Sequence, residues 1–294
     1  MRILLTNDDG LETDGLKVLY HALETAFGRR SVTVISPFHQ QSAVSHSITI
    51  FSPLFIEHID GYLGNKSTVY AVRGTPADCI KLALGQLLKQ RPEVIIAGIN
   101  AGANLGVDVF YSGTVAAVLE GAFWGIPSFA ISVEKPHGRQ PDFKTPVRYA
   151  VEVIKSLLGA KLPASVAFNI NIPNPGRGLP KGIKYTRQDI HFSADEFTRG
   201  VDPRGRHYYW MKEGKNRLTT NLPVPLARQT GHKRSTIKRT APMSIGVVAT
   251  KPGSCILPSD IETLRAGYIS VTPLRTNLTD YQLLAYLPKH IAYL

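Results

Sequence analysis

Two adjacent carboxylates, Asp8 and Asp9, close the apolar run Ile3-Leu4-Leu5 within Thr6-Asn7-Asp8-Asp9-Gly10. A short apolar run of this kind predicts a buried strand that delivers both charges to its carboxyl end. Crowding two like charges there is costly unless a cation or hydrogen-bond donors compensate them. A hard, oxygen-liganded metal ion would do so. The plainer reading of Asp-Asp-Gly is that one carboxylate caps a helix starting near Asp14, and on these residues alone the two readings stand level.

Residues of matching chemistry recur downstream. Ser42, in Pro37-Phe38-His39-Gln40-Gln41-Ser42-Ala43, and Asn100, after the apolar run 94–99, carry neutral oxygens that can join carboxylates around Mg²⁺, Mn²⁺ or Ca²⁺. Each taken alone is more often a turn or cap residue. The stretch Gly98-Ile99-Asn100-Ala101-Gly102-Ala103-Asn104-Leu105-Gly106 permits close backbone approach to a ligand, with Asn104 able to donate or accept. It is neither a Gly-x-Gly-x-x-Gly fingerprint nor a Gly-Lys-Ser/Thr phosphate loop. Tyr111-Ser112-Gly113-Thr114 reads as a helix start. Its hydroxyls can cap that helix, or join the free N–H groups in receiving a phosphate. A metal at Asp8 and Asp9 beside such a cradle would make a hydrolytic site.

The elements that must position these residues alternate in type. Strand-like runs at 3–5, 32–35, 69–72, 94–97, 129–133 and 166–168 are separated by helical patterns at 15–27, 77–88, 114–123 and 147–158. Short apolar strands between helices predict a mainly parallel sheet covered on both faces, a Rossmann-like three-layer α/β core. Such sheets place binding loops at the carboxyl ends of their strands, which draws Asp8, the 36–42 loop, Asn100 and the segment after Val133 to one edge. Beyond the stretch Asn169-Ile170-Asn171-Ile172-Pro173-Asn174-Pro175-Gly176, prolines and glycines predict loops or irregular strands.

At 294 residues and 43% hydrophobic, the chain is long and apolar enough for a large core. Residues 1–7 are too short for a signal peptide and no run reaches membrane-spanning length, so a cytoplasmic protein without membrane contact is expected. Cys79 and Cys255 make neither a disulfide framework nor a zinc cluster. Of the net charge of +12, the stretch 199–239 supplies +9, with eleven Lys or Arg against Asp202 and Glu213. This basic tract lacks an RNA-binding aromatic pattern and zinc-finger spacing, so nucleic-acid binding stands as an alternative function rather than the leading one.

These blocks, in this order, closely resemble the SurE family, nucleotidases that hydrolyse nucleoside monophosphates with a divalent cation. The matching stretches are residues 1–10, Ser42-Ala43-Val44-Ser45, Gly98 through Gly106, Tyr111-Ser112-Gly113-Thr114-Val115 and Glu120-Gly121. Asp202-Pro203-Arg204-Gly205-Arg206 with Tyr208-Tyr209-Trp210, and Gly267 through Leu274, extend the likeness over nearly the whole chain. The resemblance implies that Asp8, Asp9, Ser42 and Asn100 ligate Mg²⁺ or Mn²⁺. It places Ser112, Gly113 and Thr114 around the phosphate, with Asn104 beside both. The implied substrate is a nucleoside 5'-monophosphate, with 3'-monophosphates and short polyphosphates as extensions. Asp9 is assigned the proton of the attacking water and Asp8 the ion, the reverse assignment standing close behind. His39, His46 and His137 are candidate donors to the leaving group, and Phe38, Phe110 and Tyr111 candidate contacts to the base.

The organisation this implies is a metal-dependent phosphatase core over 1–190, a peripheral β-rich basic arm over 191–242, and a strand returning to the core with a helical tail over 243–294. The aromatic block 208–210 is expected to pack on its own or a partner subunit, and an amphipathic helix over 280–287 to dock on a partner. The resemblance implies a homodimer or homotetramer with exchanged peripheral elements. After Trp210 the chain departs from the family, which usually has a short glycine-rich or acidic turn there.

Overall fold

The computed structural model describes residues 1–211, 257–281 and 284, apart from 60, 65, 66, 137, 139, 140, 161, 164 and 191–195. A nine-stranded sheet runs through these residues in the order β3-β4-β2-β1-β5-β6-β7-β11-β8. Its strands are β1 (Ile3–Thr6), β2 (Val32–Pro37), β3 (Ile56–His58), β4 (Thr68–Val72), β5 (Val94–Ala101), β6 (Ser128–Val133), β7 (Ala167–Ile172), β8 (Ile183–Tyr185) and β11 (Ile269–Leu274). From β4 to β7 every pairing is parallel. β3 joins β4 antiparallel, and β11 lies antiparallel to β7 and parallel to β8.

Helices α1 (Asp14–Phe27) and α4 (Lys144–Leu158) cover one face, α2 (Pro76–Leu82) and α3 (Gly113–Phe123) the other. The period of two along a strand divides β1 between them: Ile3 and Leu5 pack with Leu16, Leu19 and Val147, while Leu4 packs with Ile80 and Val115. This is the predicted α/β core. β1 is also its switch point, because the chain runs outward from β1 to β2 and β4, then restarts at β5 and runs the other way to β6 and β7. Ligand sites of open parallel sheets form at such a point, beyond the strands' carboxyl ends. Asp8, Asp9 and Asn100 follow or end the two strands that flank it.

Three features differ from the sequence reading. The 77–88 helix is shorter, its regular part ending at Leu82 and giving way to a π-type turn over Ala83–Leu87. β7 runs beyond the predicted 166–168, through Asn169 and Asn171 to Ile172, because those buried amides find partners in the loop above them. A fifth α-helix that periodicity missed, α5 (Asp260–Arg265), is started by a reciprocal cap in which Ser259 accepts from Glu262 N and Glu262 accepts from Ser259 N.

A separate two-stranded sheet pairs β9 (Phe197–Val201) with β10 (His207–Met211), the β-rich part of the expected arm. Tyr208, Tyr209 and Trp210 are exposed on it, Trp210 at 71%, so the expected packing within the same subunit is absent among the described residues. The basic tract beyond Met211 and most of the 280–287 helix lie outside the described residues. No described helix is long and apolar enough to cross a membrane.

Candidate active site

The Asp8-Asp9 turn is built by its neighbours. Asn7 donates through Nδ2 to Gly10 O at 2.8 Å and Thr13 Oγ1 at 3.1 Å, and its Oδ1 accepts from the Ser36 hydroxyl at 2.5 Å. Asp8 is 4% exposed. Its carboxylate accepts the Thr114 hydroxyl and, at 3.2 Å, the Thr114 N–H. Gln41 N donates to Asp8 O at 2.7 Å, which brings the Ser42 loop to the same turn, and Ala101 N donates to Asp9 Oδ2 at 3.2 Å, which joins the end of β5. The start of α3 presses against Asp8: a Cβ on Gly113 would stand 3.0 Å from Asp8 Cβ and 3.2 Å from Gln41 O.

Asn100 is set by a register shift in β5 between Ala97 and Asn100. Its Nδ2 donates to Gly102 O at 2.7 Å, which leaves the amide oxygen as the atom available to a cation. Ser42 is exposed and accepts from Gln40 Nε2 at 2.8 Å. The neighbours of Ser42 and Asn100, Gln41 and Ala101, are thus the residues bonded to the Asp8-Asp9 turn, which brings the four predicted ligands to one edge.

Electrostatics gives that convergence a need. Burial pushes the Asp8 carboxyl up from 3.8 to about 6, with the Asp9 charge adding to the rise and the Thr114 donors opposing it. Burial also raises Asp9, against the Ala101 N–H and the Lys135 charge. Two crowded carboxylates, an amide oxygen and a hydroxyl form an all-oxygen donor set that fits a hard cation such as Mg²⁺ or Mn²⁺. Among the described residues no group of three or more His, Cys, Asp or Glu is placed to hold a metal.

Several predicted contacts have other work. Thr114, read as a phosphate contact, spends both donors on Asp8 and is fully buried; it holds a carboxylate rather than a phosphate. Ser112 accepts Val115 N at 3.1 Å as the cap of α3, keeping its hydroxyl proton to donate. Asn104, 8% exposed, donates to Ser132 Oγ at 2.8 Å and accepts Asn169 and Asn171 on its carbonyl; this pins the 102–106 loop to β6 and β7 in place of a phosphate contact. His46 pairs with Glu120 at 3.0 Å and stacks on Phe123. Glu120 lies six residues beyond Thr114, about 9 Å along the helix, so the His46 ring is tied away from the Asp8 turn. His39 is exposed in the loop over Gly10, Phe110 and Tyr111 are exposed before α3, and His137 lies outside the described residues.

The sequence reading missed three contributors. Asn7 organises the turn, Lys135 supplies a positive charge near Asp9, and buried Asp260 accepts Gly106 N at 2.9 Å and Asp189 N at 3.0 Å. The Ser259-Asp260-Ile261-Glu262 capping pattern could have revealed α5; nothing local could have linked Asp260 to Gly106.

The Thr114 clasp makes a prediction. Thr114→Val keeps the volume but removes the hydroxyl that Asp8 accepts, and is expected to cost about 1–3 kcal/mol in urea denaturation. Turnover should fall about 10–100-fold as the carboxylate loses its orientation, with Thr114→Ser recovering most of both.

The arrangement matches a known family. The family model for Survival protein SurE matches residues 3–195. The chain belongs to the SurE family. Proteins named 5'-nucleotidase SurE are similar over almost the full length: that of Aeromonas hydrophila is 37% identical over 286 residues, covering 97% of this chain and 96% of its own. That of Thermosipho melanesiensis is 36% identical over 284 residues, covering 97% and 95%. The crystal structure of the SurE protein from Aquifex aeolicus superposes with a TM-score of 0.71 at 31% identity, covering 98% of this chain and 99% of that one. The SurE match includes the Asp8-Asp9 turn, Ser42, Asn100 and the start of α3.

Proposed function

We propose that this protein is a divalent-metal-dependent phosphomonoesterase that hydrolyses nucleoside 5'-monophosphates to nucleoside and phosphate, with 3'-monophosphates and short polyphosphates as further substrates. The observation that carries the reading is the Asp8-Asp9 pair at the switch point of the sheet, raised in pKa and surrounded by oxygen donors. The name 5'-nucleotidase, carried by relatives that match 93–96% of their own length, supports the substrate class.

Asp8, Asp9, Ser42 and Asn100 hold Mg²⁺ or Mn²⁺. When bound, the ion neutralises phosphate oxygens and acidifies a water. Asp8, clasped by Thr114, is a fixed ligand. Asp9 is the less buried of the two and so the one open to the attacking water, whose proton it takes. In the first turn of α3 the Thr114 N–H goes to Asp8 and the Val115 N–H to Ser112, which leaves the Gly113 N–H and the Ser112 O–H to face a phosphate oxygen at the positive end of the helix. His39 is the described histidine on this rim and donates to the leaving alkoxide. The protein works in the cytoplasm as a homodimer or homotetramer; the exposed aromatic face of the β9–β10 hairpin supports packing against a second copy.

Protein stripped by chelator is expected to lose adenosine 5'-monophosphate hydrolysis by about 10³-fold and to regain it with Mg²⁺ or Mn²⁺. Full turnover by protein shown by elemental analysis to be metal-free would overturn the reading.

A further inference from the structure

On the side of the Asp8-Asp9 turn away from Asn100, the sheet continues through β2 to β4, and both strands end on the same rim. Phe38 follows β2 and its N–H donates to Val72 O at 2.8 Å. Arg73 follows β4, and its N–H donates to Phe55 O at 2.9 Å. The Arg73 guanidinium lies over the Phe38 ring, 5.8 Å from carbon to centroid, and one of its nitrogens reaches Glu57 Oε1 at 3.3 Å. The Phe38 ring also packs on the core beneath it, and His39 meets it edge-on at 4.7 Å.

This cluster adjoins the site. The backbone of residues 38–40 crosses directly over Gly10, where a Cβ would stand 3.1 Å from His39 C, and the next residue but one, Gln41, holds Asp8 O. Two strand spacings, about 10 Å, separate the end of β4 from the end of β1. That is the reach of a mononucleotide rather than of its phosphate alone.

Energetics argues that the arrangement is not there for stability. The Arg73 side chain is 62% exposed and that of Glu57 48%, and an ion pair so exposed contributes little. The guanidinium stays over the Phe38 ring, beside Glu57, while most of the side chain is open to solvent. The choice of ligand follows from Glu57. Its carboxylate already neutralises the guanidinium and would repel a second phosphate, whereas the π face of a base stacks on a guanidinium plane whether or not its charge is paired.

We propose that Arg73, backed by Phe38 and steered by Glu57, is the stacking platform for the nucleobase of the substrate, and so a specificity-determining residue for nucleotides over base-free phosphate esters. The inference rests on the phosphomonoesterase reading above. Stacking of this kind tolerates any base, so the platform selects nucleotides as a class.

The test is the ratio of kcat/KM for adenosine 5'-monophosphate to that for ribose 5-phosphate, measured with Mg²⁺ for wild type, Arg73→Ala and Arg73→Lys. The ratio is expected to fall about tenfold in Arg73→Ala, carried by KM. Arg73→Lys, which keeps the charge but not the plane, should fall nearly as far. A ratio equal to that of active wild type in both variants overturns the platform alone. Wild-type protein that hydrolyses neither ester overturns the phosphomonoesterase reading, and the platform with it.

Discussion

Replacing Asp8 with asparagine is expected to abolish nucleotide hydrolysis, by 10³-fold or more, while making the metal-free protein more stable at neutral pH. The two effects have one cause. Burial holds the Asp8 carboxyl at about 6, against 3.8 in an exposed chain. Below about pH 4 the group is protonated both folded and unfolded and imposes no charge penalty. Between about pH 4 and 6 the folded state still binds a proton that the unfolded state has released, so stability falls as pH rises through that window. Above it the ionised carboxylate costs about 3 kcal/mol in the absence of a cation. Burial of Asp9 adds a cost of the same sign.

Asparagine carries no charge, and its amide oxygen accepts one of the two Thr114 donors, the Nδ2 group facing the other. The metal-free variant should therefore gain up to about 3 kcal/mol over wild type at pH 7 and nothing at pH 4. Adding Mg²⁺ or Mn²⁺ should stabilise wild type at pH 7 and leave the variant unchanged. Urea denaturation at the two pH values, with and without metal, checks all of this. A variant less stable than wild type by 1 kcal/mol or more at pH 7 would show that Asp8 is there for structure.

The second large effect is expected at Gly98. Its φ of +135° is one that side-chain-bearing residues rarely adopt, and a Cβ there would stand 2.5 Å from Ile131 O and 3.3 Å from Asn100 N. Gly98→Ala must shift either β6 or the turn that carries Asn100. We expect a loss of about 3 kcal/mol or more in denaturation and weaker metal affinity in the fraction that folds, because Asn100 moves with its own backbone. A variant within 1 kcal/mol of wild type and with unchanged metal affinity would mean that the register shift in β5 does not position Asn100.

Much of this site was legible before the structure because parallel sheets follow a strong rule. The apolar run before Asp8, the run before Asn100 and the helical patterns between them predict strands whose carboxyl ends share an edge, and Asp8, Asp9, Ser42 and Asn100 do share it. Roles were harder to read than positions. A threonine at a helix start can cap, bind phosphate or orient a neighbour, and only the fold brings Thr114 onto a carboxylate 106 residues earlier. The strand predicted over 166–168 runs on through Asn169 and Asn171, whose buried amides find the Asn104 carbonyl more than 60 residues away. Asp260 and Gly106, 154 residues apart, were beyond any local pattern.

The central claim is that Asp8 and Asp9 together hold the ion. Mn²⁺ titration of chelator-stripped protein, followed by loss of the free-ion paramagnetic resonance signal, tests it without depending on turnover. The account predicts about one displaceable ion per chain in wild type, competed off by Mg²⁺, and none at the same concentration in Asp8→Asn or Asp9→Asn. The same stoichiometry and affinity in both variants as in wild type would contradict it.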